Sequence, residues 1–189
     1  MPRRAENGRA PRWEALYETA AAQAGYFSLK QARDAGYSPQ LLQYYLRVGR
    51  VERSLRGVLR LVHFPPTENE DFVPVWLWSE REGVFGLETA LAIHGLSDAL
   101  PAHHDLFVPN AWAPRRVLAP RNVRLYVDEV GHSEREWIGS VPVTTAARTL
   151  RDCMKHHVAP DLVEQAVAQA VGRGLVSRSE VRAIKREAA

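Results

Sequence analysis

One cysteine in 189 residues, Cys153, leaves no partner for an internal disulfide. A reducing cytoplasm is the simplest home for such a chain. No run of 18 apolar residues occurs, so no helical membrane span is expected. The N-terminal stretch "MPRRAENGRAPRW" is basic but has no apolar segment behind it, which excludes a secretory signal. Also missing are a G-x-S-x-G elbow, a P-loop and a dinucleotide fingerprint, and with them the usual nucleophile and phosphate-cradling chemistries. The seven histidines include no H-x-x-x-H pair. His103-His104-Asp105 is the densest cluster, flanked by His94 and His132, while the adjacent His156 and His157 point about 100° apart on a helix. Asp128, Glu129 and Lys155 lack the D…E-x-K spacing that gathers metal-binding carboxylates beside a lysine. No cofactor, no metal and no catalytic residue is therefore expected; Cys153 sits in an apolar helical pattern and reads as core.

Acidic residues are absent between Ser38 and Val51. This gap belongs to a wider asymmetry within an ordinary globular composition of 46% apolar and 25% charged residues. Residues 1–61 carry 11 Lys/Arg against 5 Asp/Glu; residues 62–189 carry 14 against 17. A basic first third joined to a mildly acidic remainder points to two parts with different partners, an anion being the natural one for the first.

Residues 1–10 read as a disordered basic arm with Arg3, Arg4 and Arg9. "PRWEALYETAAAQAG" places Trp13, Leu16, Tyr17, Ala20 and Ala24 on one helical face and stops at Gly25. "FSLKQARDAG" starts a second helix on the N-cap Ser28 and stops it at Gly36; "SPQLLQYYLRVGR" starts a third on Ser38, with Pro39 at its first position, and stops at Gly49. "RVERSLRGVLRLVHF" then reads as two strands around a tight turn near Gly57. Three short helices and a hairpin predict a winged helix over 11–65. The polar, proline-bearing "FPPTENED" marks a boundary near residue 66, followed by a mixed α+β domain over 66–189. There "DFVPVWLWSERE", "LETALAIHGL", "PDLVEQAVAQAVGRG" and "SRSEVRAIKREAA" read as helices. "HDLFVP", "RRVLAP" and "NVRLYVDEV" read as short strands, and "VPVTTAARTLRDCM" as a strand, a threonine cap and a helix.

In the third helix Leu41, Leu42, Tyr45 and Leu46 share one face and Gln40, Gln43, Tyr44 and Arg47 share the other. Glutamine pairs with adenine, arginine with guanine, and tyrosine meets a phosphate or a thymine methyl. A merely solvated face usually mixes charge signs; this one does not. Arg50, Arg53 and Arg56 ring the helix exit and hairpin, where they suit phosphates or the minor groove. Lys30 and Arg33 on the second helix suit phosphates across the groove, and Ser38 stands at the reading helix's start. Double-stranded DNA is the expected partner.

"GYFSLKQARDAGYSPQLLQYYLRVGRVERSLRGVLRL", with R-x-x-R-G-V-x-R-L from Arg53 to Leu61, resembles the N-terminal winged helix of AbiEi-type antitoxins. "GLETALAIHGL", "LFVPNAWAPRR", "NVRLYV" and "VPVTTAARTLRDC" resemble later blocks of that family in the same order, so the likeness spans roughly residues 14–176. Ala146 stands where the family usually has proline. The resemblance implies a transcriptional repressor of its own operon and the antitoxin of a type IV toxin–antitoxin system. The toxin of such a system is an AbiEii-like nucleotidyltransferase that need not form a stable complex with it. An inverted-repeat operator and a cytoplasmic, non-enzymatic role go with this. Some relatives carry a further nuclease-like domain, for which 189 residues leave no room. His94 and Arg148, in the shared later blocks, are candidates for an antitoxin interaction surface. Three alternatives stay open: a winged-helix regulator without a cognate toxin, a protein-interaction module, and a metal hydrolase or nuclease remnant.

Overall fold

Serine hydroxyls start the two helices at the centre of the first unit. Ser28 accepts from the Gln31 amide at 3.2 Å while the Gln31 carboxamide accepts from the Ser28 amide at 2.8 Å, a reciprocal cap. Ser38 accepts from the Leu41 amide at 3.2 Å, with Pro39 at the first helical position. The computed structural model describes residues 10–187, so the arm bearing Arg3, Arg4 and Arg9 lies outside the described residues. The chain forms two compact units that part after Trp78.

The first unit contains α1 (Trp13–Ala21), β1 (Tyr26–Ser28), α2 (Leu29–Asp34), α3 (Pro39–Arg47), β2 (Val51–Arg53), β3 (Val58–Leu61) and α4 (Val73–Trp78). Its sheet has the order β1-β3-β2, both pairings antiparallel, with Phe27 opposite Leu59 and Arg53 opposite Leu59 on the two sides of β3. Leu16, Ala20, Phe27, Ala32, Leu42, Val51 and Leu59 form its core. This is a winged helix-turn-helix. Gln23 and Gln31 exchange carboxamide hydrogen bonds at 2.8 and 3.3 Å, tying α2 to the turn after α1. "DFVPVWLWSERE" does form a helix, but its apolar residues Val73, Val75, Trp76 and Leu77 are buried and α4 packs on β1 and β3. The polar segment near residue 66 therefore lies inside the first unit, between its hairpin and its last helix.

The second unit contains β4 (Val84–Phe85), α5 (Leu87–His94), β5 (His104–Val108), β6 (Val123–Val127), β7 (Arg135–Ile138), β8 (Val141–Thr144), α6 (Ala146–Lys155), α7 (Pro160–Gly172) and α8 (Arg178–Glu187). Its mixed sheet has the order β6-β5-β4-β8-β7. β4–β8 and β5–β6 run parallel, while β4–β5 and β7–β8 run antiparallel. Leu87, Leu91, Phe107, Leu150, Cys153, Ala166 and Ile184 join the helices in one apolar core. Gly95 ends α5 in the left-handed region at φ 59°, a conformation glycine adopts without the Cβ penalty. "RRVLAP" is not a strand: residues 115–120 are irregular. β5 already has β4 and β6 on its two edges, and Pro114 and Pro120 lack the amides a ladder needs. The whole chain is α+β.

Candidate nucleic-acid interface

The inward face of α3 settles its outward face. Leu42 is buried, and Leu41, Tyr45 and Leu46 pack against the core of the first unit. Gln40, Gln43, Tyr44 and Arg47 are left exposed. With Pro39, Leu46 and Arg53 they line one open groove of about 850 Å³. Arg53 reaches this groove from β2, so the hairpin supplies one wall and the helix the other.

The groove is ordered from beneath. Tyr37 and Tyr45 lie 5.9 Å apart, ring centre to ring centre, and Tyr45 meets Tyr44 edge-on at 5.8 Å. The Arg47 guanidinium sits 5.6 Å from the Tyr44 ring centre, a cation–π contact that narrows the arginine's conformations without neutralising it. Tyr44 thereby keeps Arg47 beside it on the outer face of α3.

The arginines divide into two groups. Arg60, on β3, is half-buried, pairs with Glu70 at 3.3 Å and with Glu52 at 3.8 Å, and lies over the Tyr26 ring. Its charge is used inside the unit. Lys30, Arg33, Arg47, Arg50, Arg53 and Arg56 are exposed, and none makes an ion pair among the described residues. Of these, Arg47 and Arg53 share the α3 groove. Arg56 stands in the hairpin turn, where Ser54 donates to the Val58 carbonyl at 3.1 Å and Gly57 takes φ +83°. Lys30 and Arg33 stand on α2, Arg33 donating to the Leu29 carbonyl at 3.4 Å. Arg50 lines a different concavity. Ser38 spends its acceptor on the α3 cap.

Neither His94 nor Arg148 offers a surface: they are 7% and 8% exposed. The His94 ring nitrogen Nε2 lies 2.7 Å from the Thr144 carbonyl, and its own carbonyl accepts from Arg173 at 2.7 Å. It therefore joins α5 to β8 and α7. Arg148 donates to Asp152, Glu134 and Asp128, each at 2.7 Å, and lies over the Phe107 ring. Burial disfavours the Arg148 charge, but Asp152 and Glu134 outweigh it and hold the guanidinium more firmly protonated than usual. Burial likewise pushes the Asp152 carboxyl up, and Arg148 offsets this only in part. For Glu134 burial pushes the same way, but Arg148 and Arg151 prevail and bring its carboxyl below the ordinary range.

The other candidate chemistry is spent similarly. Asp105 is buried, its carboxylate accepting from the Tyr126 hydroxyl at 3.3 Å, and burial holds its carboxyl above the usual aspartate range. Asp128 is paired to Arg148, and Glu129 accepts from the Asn110 amide at 2.9 Å. Among the described residues no group of three His, Cys, Asp or Glu side chains is placed to hold a metal ion. Among the described residues no helix is long and apolar enough to cross a membrane.

Residues 14–62 match the family described as transcriptional regulator, AbiEi antitoxin. No curated protein gives a match. Among solved structures, that of the RV2827C protein from Mycobacterium tuberculosis is similar with a TM-score of 0.55 and 13% identity, over 94% of this chain and 72% of that one. At this identity the likeness speaks to the fold alone.

Proposed function

We propose that this chain, whose residues 14–62 match the family described as transcriptional regulator, AbiEi antitoxin, binds double-stranded DNA and represses its own operon. In this reading it works in the cytoplasm as the antitoxin of a type IV system and has no catalytic activity of its own. Its functional counterpart is an AbiEii-like nucleotidyltransferase, with no stable complex required between the two.

The observation that carries the reading is the α3 groove: a row of exposed hydrogen-bonding side chains, closed on the hairpin side by Arg53, which makes no ion pair among the described residues, and lined by no carboxylate. Gln40, Gln43 and Arg47 present bidentate groups to base edges in the major groove, and Tyr44 supports Arg47 and meets a phosphate or a thymine methyl. Arg53 takes a phosphate at the groove wall, and Arg56, at the wing tip, takes a phosphate or the minor groove. Lys30, Arg33 and Arg50 grip flanking phosphates, and Ser38 fixes the start of the reading helix. Each bidentate base contact is worth about 1–3 kcal/mol of discrimination, and each phosphate contact adds about 1 to the salt slope.

Footprinting of the full chain on its own promoter, with binding isotherms at several salt concentrations, tests this. The expected result is a protected inverted repeat. Arg47→Ala and Arg53→Ala weaken binding by about tenfold, and the phosphate contact at Arg53 takes about 1 from the salt slope. Wild-type affinity and slope in both variants would remove the helix and wing from the interface.

A further inference from the structure

The first unit has a second concavity that shares no lining residue with the α3 groove. It holds about 250 Å³ and is lined by Trp13, Tyr17, Arg50, Leu61, His63 and Phe64. Trp13 and Tyr17 lie 6.1 Å apart, and Tyr17 and Phe64 lie 6.4 Å apart, ring centre to ring centre, so three aromatic rings form a continuous wall. Trp13 and Tyr17 are each 45% exposed, leaving large apolar faces in water. The volume suits a molecule of about a dozen heavy atoms, below the usual drug-sized site.

The polar edge decides what kind of molecule. No acidic residue lines the bowl. Arg50 makes no ion pair among the described residues, and its guanidinium rests 5.5 Å from the Tyr45 ring centre. Its backbone is pinned: its amide donates to the Tyr45 carbonyl at 3.0 Å, and its carbonyl accepts from the Val62 amide at 3.2 Å. An unmatched cation on a fixed base beside an aromatic wall selects an anion with a flat apolar body.

We propose that this bowl binds a small planar aromatic carboxylate, its ring against Trp13, Tyr17 and Phe64 and its carboxylate on Arg50, and that such a ligand weakens DNA binding. The second part rests on the function proposed above, because it needs Arg50 to contact a phosphate. Arg50 stands between the end of α3 and the start of β2, so the ligand and the DNA backbone compete for one guanidinium. Binding of the ligand itself does not depend on that function.

The test titrates 2-naphthoate and the uncharged 2-naphthamide into the full chain without DNA, by calorimetry. Wild type is expected to bind naphthoate with a Kd of about 0.1–1 mM. Arg50→Gln weakens naphthoate by about tenfold and leaves naphthamide unchanged, while Trp13→Ala weakens both. Both substituted side chains are exposed, and unchanged melting curves establish that the variants fold. In a second arm, saturating naphthoate lowers operator affinity several-fold in wild type and not in Arg50→Gln. Absence of binding up to about 10 mM, or equal affinity in Arg50→Gln, overturns the ligand site. A dimer that Trp13→Ala splits, with no naphthoate bound by wild type, assigns the bowl to a second copy of the chain and also overturns it. Naphthoate binding in a chain that binds no promoter DNA keeps the ligand site and removes the DNA reading.

Discussion

Arg148→Met removes the guanidinium and keeps an unbranched apolar stem, and its cost follows from the exposures of the three carboxylates left behind. Arg148 is 9% exposed at its side chain; its partners Asp128, Glu134 and Asp152 are 48%, 31% and 4% exposed. Asp128 and Glu134 can turn to water when the guanidinium goes, at less than about 1 kcal/mol each. Asp152 cannot. Stranding one buried charge costs about 3–5 kcal/mol, so a loss of about 4 kcal/mol is expected at pH 7. Amide exchange along α6 in the full chain reads this locally, as a rate rise of roughly three orders of magnitude. Arg148→Met/Asp152→Leu removes the stranded carboxylate and restores most of the loss.

The pH dependence supplies a second reading. The Asp152 carboxyl is raised in the folded state, so its contribution is favourable below the ordinary aspartate pKa and is lost as pH rises through the folded value. Without Arg148 that window extends upward. Glu134 is lowered, so its contribution is present above the ordinary glutamate pKa and is lost as pH falls through the folded value. Both effects bring variant and wild type together on acidification and apart toward neutrality. A deficit below about 1 kcal/mol at pH 7 refutes the reasoning. So does a deficit that does not shrink toward acid pH, or a double variant no better than the single one. On the proposed function, promoter binding should be unchanged, since Arg148 lies in the second unit.

Burial pushes the Cys153 thiol far above its ordinary range, so thiol reagents are expected to label it only as fast as the second unit opens, read from labelling rate against urea. The raised Asp105 carboxyl makes the second unit lose stability as pH rises from the ordinary aspartate value through the folded one; Asp105→Asn should flatten that part of the profile in urea melts. Gly57→Ala meets open space and pays only for φ +83°, about 1–2 kcal/mol. Gly25→Ala pays the same at φ +85° and also sets a Cβ 2.6 Å from Phe64 Cβ, so its urea midpoint should fall further.

What the sequence makes legible is what neighbouring residues decide among themselves. Ser28, Gly36, Ser38, Pro39 and Gly49 place α2 and α3 because a cap is written within one turn of chain. β1 is not legible that way: Tyr26–Ser28 becomes a strand only by pairing with Val58–Arg60, some thirty residues on. β7, with Trp137 61% exposed, carries no apolar alternation to announce it and depends on β8. "RRVLAP" shows the converse, β-like residues that find no edge. The outward face of α3 is legible because helical spacing separates it from the leucines. The grouping of the hairpin arginines is not, since Arg60 is set apart from Arg53 by Glu52 across the hairpin and by Glu70 ten residues on. His94 and Arg148 are singled out in sequence only by standing in the blocks that resemble the AbiEi family; Asp152, four residues past Arg148, is a local partner, and further contacts come from β8, α7 and the segment between β6 and β7.

β1 ends at Ser28 and β2 begins at Val51, and both pair with the same strand, β3. Everything between them, α2 and α3 included, is a loop whose two ends are stapled to one rail. The Leu29 amide adds a third tie, donating to the Gly57 carbonyl at the hairpin turn at 2.9 Å. Residues 29–50 therefore form a cassette: exposed positions on α3 can be exchanged while the rail stays as it is. If α3 reads DNA as proposed, a lineage of such chains can change the sequence it reads without rebuilding the unit that holds the reader.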